Sequence, residues 1–395
     1  MNIFKSFEKI KTPSEITISE FENLRSKDLS DKDLSKVPVD ILEKADFDTT
    51  TKWPSKENLP TGFSPEQLLE DAKNPGLGIK KLHEQGITGQ GIVVAIIDQK
   101  LDINHEEYRD AVIDYTEYGK ATEESISMHG PAVASLLVGK NCGVAPGAKL
   151  VYKATPSTGR DFHFGAQALN DIIEKNQNAQ SNEKIRIVSC SIGYRTEVPE
   201  PGLDEWIQTL NKAEKSGIFV VDVNGEQIDI QLNGCGSSEN KDNFDSYYPW
   251  LNKELTELDK NKELNKLIFE KNTNKILEKL RELAPEKFKN ISDFALKEKI
   301  EKRINELEKI LCIPCDYRTM ASSWRKEGQY VYNGKGGLSW AVPYLAGLFA
   351  LALQIDPSID QEKLVSIMKE SAIINNQGIK IVNPEGIIDL VRERM

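Results

Sequence analysis

Between residues 91 and 225 short β-branched runs alternate with helical stretches, and this alternation restricts the fold more than any other feature of the chain. "GIVVAIID" (91–98), "AKLVYKA" (148–154), "IRIVSCSIG" (185–193) and "GIFVVDVNG" (217–225) each read as a strand buried on both faces. Helical spacing fills the segments 129–139, 165–176 and 203–216, with Pro131 tolerated in the first turn of the earliest. Strands separated by helices predict an α/β fold, a parallel sheet between layers of helices.

Two regions depart from that rhythm. Residues 1–75 are polar, carry turn signals at Pro54, Pro60, Pro65 and Pro75, and read as an N-terminal extension, either a prosegment or a brace. The main domain spans 76–395 and is interrupted by a helical insertion at about 228–311. Within it, Ile300, Ile304, Leu307 and Leu311 form one apolar stripe and Leu264, Leu267 and Ile268 another, with a break at Pro285. The charged helices of 252–311 read as the solvated faces of this insertion, with partner docking as the sharper alternative.

Composition narrows the partners. Over 395 residues the net charge is −11, which argues against nucleic acid, whose phosphates require a basic face. No run approaches 18 consecutive apolar residues and the N-terminus has no apolar signal core, so no membrane is expected. Five cysteines in a chain of this size do not make a disulfide scaffold, and a reduced, cytoplasmic setting is expected.

In open α/β sheets the working groups collect beyond the carboxyl ends of the strands. Asp98 ends the first strong strand, His129 opens a helix, and Ser339 in "GGLSWAVPYLAG" (336–347) stands at the mouth of an apolar helix running to about Leu353. A serine hydroxyl is a weak nucleophile until a base takes its proton, and a neutral imidazole steadied by a carboxylate is suited to that task. Ser339 would also have the unpaired amides and positive dipole end of its helix beside it. Pro343 is expected to cost little so near the helix start. Of the four histidines, His105 reads as structural, and His83 and His163 as surface residues.

Three segments resemble the subtilisin-like serine proteases, or subtilases: "GITGQGIVVAIIDQKLDINHEEY", "SMHGPAVASLLVGKNCGVAPGAKL" and "GLSWAVPYLAGLFALAL", in the Asp, His, Ser order of that family. The resemblance covers about 76–225 and 313–375 and implies a subtilisin-like three-layer fold, peptide or protein substrates, and a serine endopeptidase. It places the acid on Asp98, the base on His129 and the nucleophile on Ser339. It also implies that Ser191, Ile192 and Gly193 line the cleft, and that Asp222 stands at the wall of the specificity pocket, where a carboxylate would favour Lys or Arg before the cleaved bond.

The chain departs from the family pattern at several points. Gln99–Lys100 follow the acid, Leu338 and Trp340 flank the serine, and Asn224 precedes Gly225 where the family has glycine before the oxyanion-hole asparagine. Asn224 is therefore the candidate oxyanion donor, and a degenerate subtilase that binds a peptide or partner without cutting is the alternative reading. No cofactor is expected. Subtilases often hold structural calcium, but no acidic loop here marks a site. "CIPC" (312–315), with Cys235 as one further thiol, is too little for a zinc site, and the glycines of "GITGQGI" precede their strand instead of following it as a dinucleotide loop would.

Overall fold

A computed structural model of the chain describes residues 14–157, 160–195, 199–225, 230–249, 263–264, 267, 270–308, 310–376 and 378–395. Part of the expected insertion, including Ile268, lies outside the described residues. The alternating region builds a five-stranded parallel sheet in the spatial order Val112–Glu117, Lys149–Ala154, Val93–Asp98, Ile185–Cys190, Phe219–Asp222. Val94 to Asp98 are buried without a break, as a central strand covered on both faces requires. The helices Phe162–Asn178 and Leu203–Lys215 cover one face through Leu169, Ile172, Trp206 and Leu210.

The other face rests on two helices, His129–Val138 and Leu338–Ile355. The second is apolar all round and long enough to cross a membrane by length and composition, yet 78% of it is buried inside the protein. Such a helix belongs in the middle of a core. It also packs on a second sheet, in which Gln231–Gly236 and Ile310–Pro314 run parallel, and Phe349 stacks on Phe219 at 4.6 Å between ring centroids.

The insertion lies between those two parallel strands and is narrower than the expected 228–311, because Gln231–Gly236 and Ile310–Pro314 belong to the second sheet. Its helices Thr273–Leu283, Pro285–Phe288 and Asp293–Glu308 close a small cluster of Leu264, Ile276, Leu277, Leu296, Ile300 and Ile304. Leu311 does not continue that stripe. It sits in the main core, because the chain has already entered a strand at Ile310.

Residues 14–75 carry a third cluster of their own, with Ile18, Leu24, Leu34, Leu42 and Phe47 packed against Tyr332 of the main domain. Their strand Phe47–Asp48 is the outer member of an antiparallel sheet with Gln329–Asn333 and Arg318–Ser322.

Candidate active site

Asp98 is the last residue of its strand and 1% exposed. Its Oδ1 accepts the Gln99 amide at 2.8 Å and lies 2.6 Å from Nδ1 of His129. Because the Gln99 donor is a backbone group, the bulky side chain at that position does not disturb the acid. Oδ2 is buried without a hydrogen-bond partner among the described residues. Burial disfavours the imidazolium of His129, but the charge of Asp98 and its hydrogen bond favour it more, and the pKa is raised above 6.5.

The approach of His129 to Asp98 depends on Gly130. A Cβ there would stand 2.6 Å from the carbonyl oxygens of Gln99 and Lys100 and 2.7 Å from the Tyr152 hydroxyl. That hydroxyl donates to the Gln99 carbonyl, so the turn after Asp98 and the start of the helix are pressed together with no room for a side chain.

Ser339 is the second residue of its helix, half-buried, after an N-cap glycine, Gly337. Trp340 next to it lays its ring against the His129 imidazole at 5.1 Å between centroids. The structure thus brings the histidine to the start of the serine helix. Among the described residues no hydrogen bond joins His129 to Ser339, a contact that in free enzymes often tightens only with substrate in place.

Pro343 corrects the sequence reading. It lies one turn inside the helix, where its missing N–H would have met the carbonyl of Ser339. Ser191 makes good the loss: its hydroxyl donates to the Ser339 carbonyl at 2.9 Å. Ser191 therefore ties the end of the Ile185–Cys190 strand to the serine itself, a role that sequence reasoning missed.

The remaining candidates surround the end of the sheet. Asn224 exchanges two hydrogen bonds with Tyr194, accepting its amide at 3.1 Å and donating Nδ2 to its carbonyl at 2.9 Å. An amide has a second N–H beyond the one so used. Asp222 is buried, and its Oδ1 accepts the amides of Asn224 at 3.0 Å and Gly225 at 2.8 Å, which sets the loop that presents Asn224. The carbonyl of Gly193 accepts from Arg160 at 2.8 Å, and Arg160 is held in turn by Glu200. Ile192 is half-buried beside them and packs against the cluster under the outer helices.

His105 is buried, with its Nε2 2.9 Å from the Gln329 carbonyl and its ring stacked on Tyr108. His163 is exposed and pairs with Asp161. His83 differs from its surface reading: it is half-buried, its Nε2 lies 2.8 Å from the Val144 carbonyl, and burial lowers its pKa. Cys235, Cys312 and Cys315 are free and buried, and burial pushes the Cys312 thiol up to about 12. Among the described residues no group of three or more His, Cys, Asp or Glu could hold a metal ion, so no residues are assigned to calcium.

Residues 89–242 match the family model of the subtilase family. The "Major intracellular serine protease" of Bacillus subtilis (strain 168) is 27% identical over 183 residues, which is 42% of this chain and 53% of that protein. The chain therefore spans about half the length of this curated relative. Among solved structures, that of subtilase cytotoxin SubAB assembly superposes with a TM-score of 0.52 at 13% identity, covering 81% of this chain and 96% of that one. The A-subunit of the AB5 toxin from E. coli gives 0.50 at 13% identity, covering 80% and 98%. At such identity the structures speak for the fold alone. In the sheet order, in the Asp98–His129 pair at its carboxyl edge and in the match over residues 89–242, the chain resembles the subtilases.

Proposed function

We propose that the chain is a serine endopeptidase in which Asp98 orients His129, His129 takes the proton of Ser339, and the Ser339 oxygen attacks a peptide carbonyl to form an acyl-enzyme. The observation that carries this is the 2.6 Å contact from Asp98 to His129 beside the ring of Trp340, the neighbour of Ser339. A buried carboxylate oxygen with no partner is unfavourable, so Asp98 gains most when the imidazole becomes an imidazolium, the state that proton transfer creates. The returned proton goes to the leaving amine, and water then releases the acyl group by the same relay.

Developing negative charge would be met by the first amides of the Leu338–Ile355 helix and by the second N–H of Asn224. A substrate strand pairing with Ser191, Ile192 and Gly193 would have to displace Arg160 from the Gly193 carbonyl. A cytoplasmic setting accompanies this reading, supported by a relative described as intracellular and by free cysteines.

The non-cutting alternative draws on the engagement of Asn224 with Tyr194. A fluorophosphonate probe separates the two. Wild type is expected to take the label on Ser339 and Ser339→Ala to take none; an unlabelled wild type removes the peptidase reading. For specificity, the Asp222 reading expects a peptide library to be cut after Lys or Arg, with the preference lost in Asp222→Asn. Indifference to those residues would leave Asp222 with only its loop-anchoring contacts.

A further inference from the structure

The extension reaches both halves of the site. Arg25 points Nη1 at the sulfur of Met128, 3.0 Å away, and Met128 immediately precedes His129. The same guanidinium is 3.9 Å from the carboxylate of Asp46. Asp46 in turn accepts the amide of Gly334 at 3.1 Å, in the loop that leads into the Ser339 helix. One ion pair on the extension thus has the histidine segment at one end and the serine segment at the other. The contact is supported from behind, where Phe47 and Asp48 pair with Tyr332 and Val331 and the Tyr332 hydroxyl donates to the Glu43 carbonyl at 2.6 Å.

The junction with the main domain is built to stay closed. Ala72 and Leu77 are each 1% exposed. The carbonyl of Ala72 accepts the Thr319 amide at 3.0 Å, and the Leu77 amide donates to the Lys241 carbonyl at 2.8 Å. Lys241 is half-buried, and its Nζ donates to the carbonyls of Ala72 and Tyr317. Releasing residue 72 would take one of these acceptors away from Nζ, which is costly. A removable segment is joined instead by an exposed, unpaired linker that a protease can bind extended.

We propose that residues 14–75 are a permanent brace of the active site, in which Arg25 and Asp46 set the placement of His129 relative to Ser339, and not a prosegment that leaves. The inference rests on the peptidase reading for its catalytic consequence but not for its structural one. Intact-mass measurement of fluorophosphonate-labelled wild type is expected to find the label on chains that retain residues 14–75. Label confined to chains that begin after residue 71 overturns the brace.

Asp46→Ala is expected to lower kcat about tenfold with KM unchanged, because a displacement well under 1 Å between reacting groups already costs that much. Asp46→Asn, which keeps an oxygen for the Gly334 amide, is expected to lose less. A wild-type kcat in Asp46→Ala, or a loss that falls wholly in KM, overturns the positioning role. The inactive Ser339→Ala chain separates this proposal from the peptidase reading. On digestion with an added protease, the bonds between residues 72 and 78 are expected to resist as long as the main core. An early cut there that releases a folded remainder overturns the brace, whether or not wild type takes the label.

Discussion

Asp98→Asn is expected to lower kcat by about ten-thousand-fold while leaving the fold in place. In Asp98 one oxygen, Oδ1, meets both the Gln99 amide at 2.8 Å and Nδ1 of His129 at 2.6 Å. An asparagine that keeps its oxygen there loses the charge that steadies the imidazolium, and one that turns its NH₂ there makes Nδ1 an acceptor, so the ring proton moves to Nε2. An imidazole protonated on that side cannot take a proton from Ser339. The pH dependence supplies a second readout. In wild type the charge and hydrogen bond of Asp98 overcome the effect of burial and raise the His129 pKa above 6.5. Peptidase activity should therefore rise with pH through a value above 6.5. Without the carboxylate only burial remains, and the residual activity of the variant should show that limb displaced downward. Stability runs the other way: a raised histidine pKa stabilises the fold fully below the unfolded value, and the benefit is lost as pH rises through the folded one. A steady-state kcat within tenfold of wild type in Asp98→Asn would remove the relay.

Gly130→Ala is expected to lower kcat about a hundredfold and to destabilise the fold by ~1–3 kcal/mol. Two effects compete here. Alanine is the better helix former by about 1 kcal/mol, and Gly130 is the second residue of a helix. Against this, the added carbon would meet two backbone carbonyls at 2.6 Å, and backbone cannot rotate aside as a side chain can. The clash should win, forcing the helix away from the turn after Asp98 and lengthening the 2.6 Å contact on which His129 depends. Thermal melting and kinetics on the same sample test this together. A variant that melts higher and cuts as fast would show that the helix shifts without cost.

Much of the fold was legible because periodicity reports burial directly. The unbroken run 91–98 became the central strand Val93–Asp98, and the helical stretches 165–176 and 203–216 became Phe162–Asn178 and Leu203–Lys215. Asp98, His129 and Ser339 could be singled out because each stands at the end of an element whose start or stop is written in neighbouring residues. Pro343 was misjudged by one turn, since the sequence does not mark which residue begins the helix. The hydroxyl of Ser191 that satisfies the carbonyl left over by Pro343 comes from 148 residues away.

The sequence by itself determined the alternating elements, the parallel sheet and the order of the three candidate side chains. These follow from local hydrophobic spacing and from residue chemistry at element ends. Only the tertiary structure decided that Ser191 reaches the Ser339 carbonyl, that Trp340 lies against His129, and that Arg25 and Asp46 reach both sides of the site. Such contacts join residues far apart in the chain, and no local pattern encodes which distant groups folding will bring together.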